Sequence, residues 1–324
     1  MNKQIENIYS NLPSIFAQVA RDTLSHNKLT VYYDFTNEGY ELFRRYISKS
    51  PDKNNTKIIK GNISANPANR HMPIEFEQFN DVGLVIADTP ISMRPRDILN
   101  KKGETIGSAP ANWSFVFSTL FQLADDGYGV FIFEPSLLFS VIGKRYNDLL
   151  NENGYYINAT FQCDMSTLPR FNSAMNVLIV IISRNKILLK DTQSGSPYNP
   201  PYMFISEFPK KDDVEENFNE KEFITNLINN FFEQNHNNWD KNKNIYLGVW
   251  VPFSTFKTFQ NYKTQQIIAK LNTEYHEYKK YNLPELSIEF NRVTSGQFHI
   301  EKENSIYIKM TSGKEVFTKI NDID

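Results

Sequence analysis

The apolar run GLVIA at residues 83–87 stops at Asp88-Thr89-Pro90. A run this short, closed by a proline, reads as a buried strand whose tip opens into a loop. In open α/β sheets, ligands bind outside such carboxyl tips. The tip offers a side-chain oxygen on Asp88 and a backbone carbonyl on Thr89, and Pro90 stiffens the start of the loop. Two fixed acceptors can draw the exocyclic amine of a nucleobase toward tetrahedral geometry and aim its lone pair. A base handled that way must first leave its stack. The plainer reading of the same residues is a strand-ending turn in which Asp88 caps the next helix.

A second acid, Asp34, ends the β-rich run LTVYYDF. TNEGY comes next, then ELFRRYI, which reads as helix. Strand, turn and helix in that order are the layout of a nucleotide-binding first βα unit. Glu38 and Tyr40 flank the one glycine, where small residues would let a ligand approach the backbone. Only 54 positions (88 − 34) separate the two acids, which leaves little room for two intervening βα units.

Other candidates carry weaker signals. Asn199-Pro200-Pro201-Tyr202 comes after a polar stretch rather than an apolar strand, so a proline-rich loop is expected there. Glu134 precedes Pro135 at another strand tip. Arg94 and Arg96 could meet phosphate near Asp88, or sit as solvated loop charges. His26, His71, His236, His276 and His299 are dispersed, without the spacing of metal ligands. No metal is expected.

These residues need a scaffold, and the composition can supply one. The chain has 324 residues, 40% hydrophobic and 22% charged, with a formal charge of −2. That balance gives no global attraction to nucleic acid or to an anionic membrane. The single cysteine, Cys163, precludes an intramolecular disulfide and fits a reducing, cytoplasmic setting. The first residues lack the long apolar core of a signal peptide. No stretch of about 18 uninterrupted apolar residues would span a bilayer.

Helical spacing covers residues 5–24, with Pro13 as a divider. Residues 57–60 read as a short second strand. Residues 113–123 read as a buried helix, 130–135 as a strand, 136–150 as a helix, and 154–163 and 175–183 as strands. Strands alternating with helices predict a mostly parallel sheet covered on both faces. Residues 191–201 read as loop, 222–232 as helix, 244–252 as a strand ending at Pro252 and 265–281 as an amphipathic helix. The tail, with ENSIYIKM, reads as strand.

LVIADTP, followed by the helix at 113–123 and by DDGYGVFIFEPSLLF, resembles the N6-adenine DNA methyltransferases of the type I restriction-modification M-subunit kind. There an apolar strand runs into an NPPF-like motif. KRYNDLLNENGYYINATFQC and SAMNVLIVIISR resemble that family's two later strands. GVWVPFSTFKTFQ, LPELSIEFNRV and ENSIYIKM resemble the C-terminal region of some members. The resemblance covers most of residues 75–324. It implies a class I methyltransferase-like Rossmann sheet at 1–190, a linker at 191–221 and a mixed α/β extension at 222–324. It implies Asp88, Thr89 and Pro90 as catalytic positions, and Asp34, Asn37 and Gly39 as the S-adenosylmethionine site.

The departures shape the expected function. Asp88 can replace the motif's Asn as an acceptor. Thr89 replaces a proline, Pro90 is kept, and Ile91 replaces the aromatic that would stack on the base. The acid that would bind the ribose is not identifiable in this sequence, and Asn62, after the KIIKG strand, is a candidate in its place. The expectation is a degenerate, inactive relative that binds DNA or a partner subunit in a restriction-modification or defence system. The alternatives are an active S-adenosylmethionine-dependent adenine-N6 methyltransferase, and a protein-interaction module without nucleic acid.

Overall fold

Leu84 and Ile86 pack into one apolar cluster, and Val85 and Ala87 between them into another. A strand that alternates between two dry faces must lie inside a sheet covered on both sides. The computed structural model shows that sheet. It describes residues 12–24, 28–34, 37–49, 53–60, 79–89, 95–100, 102–133, 138, 141–163, 177–185, 202–209, 218–233, 245–253, 256–274, 306–311 and 314–319. The chain divides into a unit at residues 1–270 and another at 271–324.

In the first unit, β1 (Leu29–Asp34), β2 (Thr56–Lys60), β3 (Val82–Asp88), β6 (Leu123–Phe133), β7 (Tyr156–Cys163), β8 (Val177–Ser183), β9 (Tyr202–Glu207) and β10 (Val249–Pro252) form one sheet. Its order is β10-β9-β7-β8-β6-β3-β1-β2. β2, β1, β3 and β6 are parallel neighbours, and β7 and β9 are parallel to each other. β8 is antiparallel to both β6 and β7, and β10 is antiparallel to β9. The reversals leave β7 and β9 running in the direction of β6. The architecture is mixed α/β with a large, mostly parallel central sheet.

α1 (Leu12–Leu24), α2 (Asn37–Ser48) and α5 (Glu220–Glu233) cover one face through Phe16, Phe43 and Ile224. α3 (Ala111–Leu120), α4 (Val141–Glu152) and the start of α6 (Phe259–Glu274) cover the other through Phe115, Leu150 and Phe259. All ten residues of α3 are buried. Its hydroxyls turn back on its own carbonyls, Ser118 Oγ on Ser114 O at 3.0 Å and Thr119 Oγ1 on Val116 O at 2.9 Å, so these polar groups stay satisfied. The cover over α3 comes from a hairpin of β4 (Pro95–Leu99) and β5 (Thr105–Pro110). Ser114 Oγ donates to Asp97 O of that hairpin at 2.6 Å.

Several elements differ from the sequence reading. The hairpin at 95–110 has no counterpart in the sequence pattern. β9 begins at Tyr202 and β10 ends at Pro252, so the sheet continues beyond residue 190. YMFIS offers apolar residues to both faces, and β7 leaves an edge for it to pair. The strand expected at 244–252 does end at Pro252 but opens with a 3-10 turn, Ile245–Leu247. Gly248 joins turn to strand at φ 84°, where an added Cβ would collide with the Phe204 ring. β6 starts seven residues before the expected 130. Leu123 pairs with Val82 and Tyr128 with Leu84, so residues 124–127 bulge from the ladder. α6 begins at Phe259 because Thr258 Oγ1 accepts from Asn261 N at 3.0 Å, an N-cap ahead of the expected start.

The second unit contains β11 (Ile306–Thr311) paired with β12 (Lys314–Lys319) as an antiparallel hairpin. Among the described residues no helix is long and apolar enough to cross a membrane. No group of three or more His, Cys, Asp or Glu there could hold a metal.

Glu220 opens α5 at 4% exposure, and among the described residues neither carboxylate oxygen has a hydrogen-bond partner. Burial pushes its carboxyl up to about 8 from the usual 4.5. The folded chain therefore keeps a proton that the unfolded chain releases between those values. This group's contribution to stability is full below 4.5 and falls by about 1.4 kcal/mol per pH unit as pH rises toward 8. Glu220→Gln, which mimics the protonated group, is expected to melt higher than the parent at pH 8 and alike at pH 4.5. Thermal melts at the two pH values check this; an equal difference at both would count against it.

Candidate functional site

From β1 the chain passes to β2 on one side, and from β3 to β6 on the other. The sheet thus has a switch point between β1 and β3, where the diverging connections leave a crevice beyond the carboxyl tips. Asp34 and Asp88 end those two strands and are register partners. Lys60, the last residue of β2, is the partner of Asp34 on its other side. Ile132 of β6 is the partner of Asp88. The structure therefore brings the two singled-out acids into one row across four strand tips: lysine, aspartate, aspartate, isoleucine.

Thr89 lies one residue beyond that row and is buried. Its Oγ1 donates to the carbonyl of Ile132, which joins the end of β3 to β6. Sequence reasoning assigns Thr89 a role only through its backbone; the side-chain bond to β6 emerges from the fold.

Asn37 is the first residue of α2 and Gly39 the third. Only residues 35 and 36 lie between Asp34 and the helix. The expected turn TNEGY is thus largely helical. Glycine is tolerated in a first helical turn more readily than deeper in a helix. The backbone N–H groups of that first turn have no intrahelical acceptors. Pro90, Ile91, Arg94, Glu134, Asn62, the Asn199-Pro200-Pro201 stretch, the five histidines and the side chains of Asp34, Asn37, Tyr40 and Asp88 lie outside the described residues. Arg96 is on β4 and buried, which sets it apart from a solvated loop charge.

A polar anchor sits behind the tips. Tyr33, next to Asp34, is fully buried, and its hydroxyl donates to Gln122 Oε1 at 3.1 Å. Phe79 N donates to the same oxygen at 2.7 Å, and Val82 N to Gln122 O at 3.0 Å. One residue thus ties β1, the approach to β3 and the start of β6. The Tyr33 ring meets Phe115 of α3 edge-on at 5.4 Å. On the other face Tyr32 stacks on Phe43 of α2 at 4.2 Å. Both helices that flank the crevice are therefore set by aromatic contacts from the strand that ends in Asp34.

The carboxyl edge continues on the far side of the sheet. Gln162 Nε2 of β7 donates to Glu207 Oε1 of β9 at 3.2 Å, and Lys263 of α6 pairs with the same carboxylate. Neither Glu207 nor Lys263 stands out in the sequence, because only the fold brings them together.

Solved structures similar to this one include type I restriction-modification subunits. One is the methyltransferase subunit from Streptococcus thermophilus, at 11% identity and TM-score 0.46, over 69% of this chain and 52% of that one. Another is from a study of complex assembly in the type I system, at 10% identity and TM-score 0.45, over 85% and 65%. A third is the EcoKI M protein, at 9% identity and TM-score 0.37, over 64% and 50%. This chain therefore spans about half to two thirds of the length of these proteins. No protein-family model matches the chain, and no curated protein does. The fold assignment rests on the strand order and directions themselves.

Tyr33→Phe removes one of the two donors to Gln122 Oε1 and leaves the ring packing in place. Its expected cost is about 0.5–1.5 kcal/mol. A urea titration against the parent chain measures it, and an unchanged midpoint would show that the anchor does not depend on this bond.

Proposed function

We propose that this chain is a degenerate N6-adenine DNA methyltransferase-like protein that binds S-adenosylmethionine weakly or not at all. It serves as a DNA- or protein-binding module in a restriction-modification or defence system, with a specificity subunit as a candidate partner. The main support is the connection between Asp34 and α2. Two residues cannot form the glycine-rich loop that lets a large cofactor approach the backbone. The only glycine in the segment, Gly39, is inside the helix. The base side of the crevice is better preserved, with Asp88 at the tip of β3 and Thr89 attached to β6.

The register of Asp34 with Asp88 favours a second reading, an active enzyme that uses Asp88 as the amine acceptor and S-adenosylmethionine as methyl donor. One pair of measurements separates the two. The proposal predicts no saturable heat when S-adenosylmethionine is titrated into the protein across the micromolar range. It also predicts no transfer of labelled methyl to DNA adenine. Micromolar binding overturns it, and methyl transfer that Asp88→Ala abolishes establishes the second reading in its place.

A further inference from the structure

We infer that Thr89 is a positioning residue whose hydroxyl takes over the stiffening role of an absent proline and keeps the base side of the crevice in working geometry. This role rests on the proposed function, since it concerns the same strand tip. Asp88 and Ile132 are register partners, so Thr89 is the first residue past the β3–β6 ladder. Beyond a ladder's last pair the chain is free to fray. Here the side chain of that residue is buried, and its Oγ1 donates to the Ile132 carbonyl. A proline at 89 would fix its own φ but would have neither an N–H nor a hydroxyl to offer Ile132. Threonine leaves φ less restricted but adds a tether across to the neighbouring strand. Both reach the same end, a tip whose carbonyl points one way, by different physics.

The bond to Ile132 uses the Thr89 hydroxyl as donor, so the tether itself makes no demand on the Thr89 carbonyl. On this reading the Thr89 carbonyl and Asp88 form the acceptor pair offered to a nucleobase amine. On this reading the loss of activity falls on the donor side, and the base side has been repaired rather than lost.

The test compares the full chain with Thr89→Ser, Thr89→Val and Thr89→Pro by amide hydrogen exchange, monitored over residues 82–99. Serine keeps the donor, valine keeps the shape without it, and proline restores the ring. Exchange at the tip is expected to be about tenfold faster in Thr89→Val, as loss of one hydrogen bond implies. Thr89→Ser and Thr89→Pro should remain close to the parent. An unchanged Thr89→Val overturns the inference, as does a Thr89→Pro that exchanges as fast as Thr89→Val. Faster exchange in Thr89→Val that extends equally to residues 177–183 also overturns it, because that marks a general loss of stability.

A second measurement uses the fluorescence of a single-stranded oligonucleotide containing 2-aminopurine. Weaker binding by Thr89→Val alone supports the inference. If no version binds while the exchange pattern holds, the nucleic-acid reading fails and the mechanical role of Thr89 stands.

Discussion

β3 has no wet side. Leu84 and Ile86 face the helices of one layer, Val85 and Ala87 those of the other, and its backbone pairs with β1 and β6. Burying side chains of this kind is worth about 1.5–3 kcal/mol each, and an unpaired backbone group in that setting costs about 1–3 kcal/mol. Such a strand is stable only with a strand on each side and a layer above and below. The chain meets that demand by sending β1 to β2 in one direction and β3 to β6 in the other. The crevice is a consequence. A segment that is dry along its whole length can be polar only where it ends, and its end lies where the two connections part.

Full burial of one strand passes a second demand on to α3. That helix lies directly over the sheet and presents no residue to water. Something must cover its outer side, and the hairpin of β4 and β5 does so, fastened by Ser114 to the backbone of Asp97. In sequence, the same hairpin begins at Pro95, soon after the Asp88 tip. Thr89 is held on β6 through its hydroxyl, and the hairpin that begins at Pro95 is held on α3.

The sheet was legible in the sequence because its strands are short apolar runs with turn residues between them. VGLVIAD and VLIVIIS read as buried strands without help from context. The bulge at 124–127 was not legible, since DDGYG looks like a turn when only local chemistry is considered. Its pairing depends on Val82, about forty residues away. The hairpin at 95–110 has mixed burial and a weak pattern, and it makes sense only as a lid for α3. β9 was hidden behind the proline-rich stretch before Tyr202. The two acids were legible as strand-ending residues, but their register was not, because register belongs to pairs of strands. The Thr89 bond was invisible for the same reason: its acceptor is a backbone carbonyl 43 positions away.

The crevice has two sides that answer to different constraints. The β1 side ends in a helix that starts after two residues, and that helix is fixed by Tyr32 against Phe43. Lengthening the turn there would shift α2 and disturb an aromatic stack in the core. The β3 side ends at Thr89, which is tied to β6 by its side chain rather than by a helix. In a crevice built this way a change on one side need not disturb the other, because each side is packed separately. The sheet need not be repaired for one side to change, and it supports the other whether or not chemistry takes place there.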